Sequence, residues 1–118
     1  MATTKGFDKY TLRVTGGNSG RVALLLCYSG NSFVGRIDFY PDDASLPQDY
    51  LWHPGPVSEA IVLHMPMNRF DSIMSIVRNE KPLNLYISVN REIGAVTRGN
   101  GHLATTSKEP VGEEEGTP

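Results

Sequence analysis

Only one stretch of this chain repeats its apolar residues with the period of a helix, and that limits the fold more than any other feature. Phe70, Ile73, Met74 and Val77 fall at i, i+3, i+4 and i+7, which makes one apolar stripe along a helix at about residues 68–79. Asn68 is placed to cap it, Asp71 sits in the first turn where an acid favours the positive end of the dipole, and Asn79 and Pro82 end it. Most of the remaining chain alternates with period two or runs apolar on both faces, broken by Gly-rich turns. A lone helix in 118 residues must bury its stripe on a sheet. The expectation is a β-rich α+β domain: a strongly bent antiparallel sheet or partial barrel of five to seven strands, with the one helix packed on it.

Tyr10, Leu12 and Val14 alternate with Lys9, Thr11, Arg13 and Thr15, and GGNSG at 16–20 supplies a hairpin turn. Residues 22–28 (VALLLCY) are apolar on both faces, as a central strand is. After a turn at Ser29, Gly30 and Asn31, residues 33–40 place Phe33, Gly35, Ile37 and Phe39 on one face. Residues 41–56 hold four prolines and read as a long loop, not a central strand. Residues 57–65 and 83–90 return to strand character, a weaker segment at 93–96 pairs as a hairpin, RGNG at 98–101 reads as a turn, and 103–105 as a short edge strand. The expected core is Leu12, Val14, Leu24, Leu26, Ile37, Phe39, Ile61, Leu63, Leu85, Ile87 and the helix stripe.

The net charge of −2 hides an uneven distribution. Residues 109–118 hold four glutamates and no base, so they carry −4 and the remainder carries +2. A Glu-, Pro- and Gly-rich end cannot bury enough apolar area to offset its chain entropy. The chain therefore divides into one β-rich domain, residues 1–107, and an acidic disordered tail, 108–118. The single cysteine, Cys27, lies in the longest apolar run, where a thiol behaves as a small buried hydrophobe, and a reducing cytoplasm suits it. That run is far shorter than the roughly 20 residues a bilayer requires, and the first ten residues lack the apolar core of a signal peptide. No membrane association is expected.

The residues give little support to catalysis. His53, His64 and His102 show neither helical nor CxxC-type spacing, so no metal site is expected. Neither Cys27 nor any serine stands in a nucleophile motif. The glycine clusters GGNSG, SGNSFVG and RGNG lead into strands, whereas phosphate loops lead into helices. Asp38, Asp42 and Asp43 read as turn and strand-end acids. The expectation is a non-enzymatic chain with no cofactor.

Binding surfaces are better represented. Seven arginines against four lysines, interleaved with aromatics, offer guanidinium groups for phosphate and rings for stacking. Tyr10, Arg13, Arg21, Tyr28, Arg36 and Tyr40 are the candidate nucleic-acid contacts. One shared face for these groups favours nucleic acid; scatter favours ordinary solvated strands. The only tryptophan, Trp52, flanked by Tyr50 and His53, marks a partner contact, since Trp is enriched at interfaces. Homodimerisation through it is the favoured partnership.

RNEKPLNLYI at 78–87 and SKEPVGEEE at 107–115 resemble a set of short bacterial proteins of unknown function, a likeness that spans nearly the whole chain and transfers no active site. The order of four strands followed by a helix is similar to that of the whirly-type single-stranded-DNA-binding transcriptional regulators, in which such units pair into dimers. The favoured function is a non-catalytic interaction or assembly domain of the bacterial cytoplasm, with single-stranded nucleic-acid binding as the alternative.

Overall fold

A computed structural model describes residues 2–15, 20–55, 58–93 and 96–105, with the backbone alone for residues 2, 53–55, 58, 89–93, 96 and 97. The expected hairpin tip at 16–19 and the acidic tail lie outside the described residues.

The described residues form eight strands and one α-helix: β1 (Ala2–Phe7), β2 (Lys9–Val14), β3 (Ala23–Ser29), β4 (Ser32–Tyr40), β5 (Asp49–Gly55), β6 (Ser58–Pro66), α1 (Phe70–Asn79), β7 (Leu83–Ile93) and β8 (Val96–Thr105). They make one sheet in the order β1-β7-β8-β5-β6-β4-β3-β2. Every neighbouring pair is antiparallel except β4 with β6. This is the expected bent, β-rich α+β architecture, with one strand more than expected.

The bend has a specific cause. β1 and β2 stand at opposite ends of the strand order, yet only Asp8 separates them in the chain. The chain pairs with β7 on one side of Asp8 and with β3 on the other, so the sheet must curl until its two ends meet. β1 accordingly touches β3 and β4 as well as β7. Asp8 is fixed on both sides: its N–H donates to the Tyr28 carbonyl at 3.0 Å, and its Oδ1 accepts from the Gly30 N–H at 3.0 Å.

Curling gives the sheet an inside. Phe7, Ala23, Leu25, Cys27, Ile37, Phe39, Leu51, Ile61, Leu63, Leu85 and Ile87 form one buried cluster there with Ile73, Met74 and Val77 of α1. Phe70 adds an edge-to-face contact with Phe39, ring centroids 5.1 Å apart. Gly35 lies on this inner face because a Cβ there would collide with the Ile61 carbonyl oxygen and with Leu85 of β7. Gly101 is in the same position against Leu63 and the Tyr86 carbonyl.

Several expectations are corrected. Residues 41–56 are not wholly loop, since β5 sits between β6 and β8 in the middle of the sheet. Its paired segment is proline-free, and the ladder to β6 breaks between Trp52 and Gly55, where Pro54 lies. RGNG at 98–101 is part of β8 and no turn; Gly101 in it permits close packing. In β3 the face turned to the core cluster is Ala23, Leu25 and Cys27, one residue out of step with the expected Leu24 and Leu26, because an apolar run on both faces leaves the register open; Leu24 is nevertheless buried, on the opposite face. Val14, expected in the core, is 76% exposed at the end of edge strand β2. Asn68 does not cap α1; it lies in a preceding 3₁₀ turn, Met67–Arg69, where its N–H donates to Asp42 Oδ1 at 2.7 Å.

Substituting Gly35→Ala is expected to destabilise the domain by about 1–3 kcal/mol, the usual cost of overpacking a close-packed interior. Urea unfolding measures it, and a midpoint unchanged from the native protein would contradict this account of Gly35.

A candidate binding surface on the outer sheet face

Opposite residues of a ladder share a face, so the registers define what stands together outside. Thr11, Leu26, Arg36, Val62, Tyr50 and Arg98 form one row across β2, β3, β4, β6, β5 and β8. Arg13, Leu24, Asp38 and His64 form the next.

Asp38 organises this face. It is 1% exposed and is the one buried charged residue among those described. A carboxylate so placed requires charge partners. Arg36 Nε donates to its Oδ1 at 2.9 Å, and Arg21 Nη1 lies 3.7 Å from its Oδ2. Arg36 also reaches the Tyr50 hydroxyl through Nη2 at 3.4 Å. The guanidinium of Arg98 lies over the Tyr50 ring, 5.3 Å from its centroid, while its Nη1 donates to the Gln48 carbonyl at 3.2 Å. Tyr50 thus holds one arginine at its hydroxyl and another on its ring.

His64 occupies the space between Tyr40 and Tyr50, with ring centroids 5.9 and 5.6 Å away. Asp49 fixes it: Oδ1 accepts from the His64 backbone N–H at 2.8 Å and lies 3.3 Å from Nδ1, and Oδ2 accepts from the Gly101 N–H at 3.0 Å. One carboxylate therefore ties β5 to both of its neighbours. Burial, together with the Asp38 charge, pushes the Tyr40 hydroxyl above the usual phenol range.

Of the candidate nucleic-acid contacts, Arg13, Tyr28, Arg36 and Tyr40 belong to the outer face by register and alternation, and Arg21 joins them through Asp38. Tyr10 does not; it pairs with Cys27 and stands on the inner side of β2. Of the candidate partner contacts, Tyr50 and Trp52 lie on the outer face of β5, and the His53 side chain lies outside the described residues. The two expected sites therefore share one surface. Sequence reasoning missed Arg98, Asp49 and the roles of His64 and Asp38, although the alternation of Tyr50, Leu51 and Trp52 carries the signal of a strand.

Cys27 and His64 stand on opposite faces, so they cannot form a thiolate–imidazole couple. Burial pushes the Cys27 thiol up to about 12, which holds it in the unreactive protonated form. Among the described residues no group of three His, Cys, Asp or Glu side chains can hold a metal ion, and no helix is long and apolar enough to cross a membrane. The chain matches no family model, and no curated protein or solved structure shows significant similarity to it.

Asp38→Asn is expected to cost about 1–3 kcal/mol in urea unfolding, since it leaves two part-buried guanidinium groups without their counter-charge. Arg36→Gln is expected to cost at least as much, about 2–3 kcal/mol, because it removes the closer of the two cations, 2.9 Å away, from a carboxylate that is 1% exposed. Cys27 adds a pH dependence. Its folded value of about 12 lies above the ordinary 9.0, so its contribution is complete below pH 9.0 and is lost as pH rises towards 12. The loss is about 1.4 kcal/mol per pH unit in that window, and Cys27→Ala removes this component from the alkaline stability curve.

Proposed function

We propose that this chain is a non-catalytic interaction domain of the bacterial cytoplasm, and that it self-associates through the outer face around Tyr50 and Trp52. The observation that carries the reading is the position of Trp52. It projects from a strand in the middle of the sheet and keeps 37% of its surface exposed, beside a tyrosine already held in place by two arginines. A large aromatic that stays partly exposed on a central strand, with Ala60 and Val96 opposite it in the neighbouring strands, has the make-up of an interface anchor. The buried free thiol suits a reducing compartment.

A second reading is single-stranded nucleic-acid binding. It is favoured by the convergence of Arg13, Arg21, Arg36 and Arg98 with Tyr28, Tyr40 and Tyr50 on that same face. The opposing consideration is that Asp38 and Asp49 lie among them, and that Arg21 and Arg36 are engaged with Asp38 in holding the surface together.

Sedimentation across a concentration series tests the first reading. A dimer is expected whose dissociation constant rises about tenfold or more in Trp52→Ala, with unchanged circular dichroism. A native protein that stays monomeric at the highest concentration overturns it. For the second reading, Trp52 fluorescence reports titration with oligothymidylate at low salt. Binding that weakens steeply with salt and is lost in Arg36→Ala establishes nucleic acid as the ligand; no change in fluorescence or anisotropy removes that reading.

A further inference from the structure

A cavity of about 470 Å³ opens between the C-terminal end of α1, the start of β7 and the Asp8 corner. Phe7, Tyr10, Val77 and Leu83 supply its apolar lining. Lys9, Arg78 and Lys81 surround them, against two acids, Asp8 and Glu80, of which Asp8 is engaged with the Gly30 N–H.

We propose that the acidic C-terminal segment, residues 109–115, is the occupant of this groove. Two observations identify it. The described chain ends at Thr105, which pairs directly with Leu83 of the groove wall. Because β7 and β8 are antiparallel, the direction of β8 at Thr105 points past Leu83 towards residues 81–82, where the groove opens. At roughly 3.3 Å per extended residue, the ten residues that follow reach across it with length to spare. Charge is the second observation. The segment EPVGEEE contains four glutamates around Pro110 and Val111, so apolar atoms for the lining are flanked by carboxylates for Lys9, Arg78 and Lys81. The attachment at Thr105 holds the segment at an effective concentration of about millimolar, so a contact too weak to form between separate molecules is populated within one chain. The groove is then filled by the protein itself, and salt releases it.

The test uses the full chain with a nitroxide on Thr117→Cys; Cys27 is buried and does not take the label. Broadening of the Tyr10, Arg78 and Leu83 amide signals is expected at low salt. It is expected to be lost in about 0.5 M salt and in the variant with Glu113, Glu114 and Glu115 all changed to Gln. Equal broadening in that variant, or none in the native chain, overturns the proposal. So does broadening at Arg36, Tyr50 and Arg98, which would place the segment on the outer face. Mixing labelled protein with isotope-enriched unlabelled protein separates a contact within one chain from one between copies; broadening across molecules makes a second copy the occupant and rejects the proposal. None of these results depends on Trp52-mediated association.

Discussion

The single residue between β1 and β2 is the constraint from which the rest of the structure follows. A sheet of eight strands whose first and last members are consecutive in the chain cannot stay open and flat, and Asp8 is where that requirement is met. Its backbone bonds to one end of the sheet while its carboxylate holds the Gly30 turn. Once the sheet curls, its inner side chains must share a confined volume. Gly35 and Gly101 follow from this, because the backbone and side chains of facing or adjoining strands occupy the space a Cβ would take. The helix stripe of Ile73, Met74 and Val77 completes an interior that strands alone leave uncovered.

The outer face is held together differently. Burying Asp38 is unfavourable unless its charge is matched, and Arg21, just before β3, and Arg36 of β4 supply the match. Arg36 then orients the Tyr50 hydroxyl, and the Tyr50 ring orients Arg98. A chain of contacts thus runs from a buried carboxylate to the surface. These arginines are shaped components and not loose cations, a property that favours a partner recognised by form over a polyanion recognised by charge alone. This weighs towards assembly in the functional reading.

What could be read from the sequence follows from how local each signal is. The helix and the strands at 32–40, 58–66 and 83–93 carry their own periodicity. β1 was illegible because its inward positions are Thr3, Lys5 and Phe7, only one of which is a buried hydrophobe, so no alternation of hydropathy marks it. The four prolines of residues 41–56 mask β5 in the sequence, although its paired segment, residues 49–52, holds none. In β8 the glycines signal a turn in isolation, whereas Gly101 is there for packing. The individual surface residues Arg36, Tyr40, Tyr50 and Trp52 were identifiable as types, but their meeting depends on β5 inserting between β6 and β8, a non-local event that no short window encodes.

That insertion also joins the two sides of the molecule. The chain leaves β4 at Tyr40 and crosses one strand position beyond β6 before entering β5, and β6 then returns beside β4 as the parallel neighbour. Along this crossing, Asp42 accepts the Asn68 N–H in the turn that leads into α1, and Asp49 accepts from His64 and Gly101 at the start of β5. One connection therefore positions both the helix against the core and Tyr50 and Trp52 on the surface. A change that loosens residues 41–48 acts on both together, so the outer face has no geometry independent of the packing of α1.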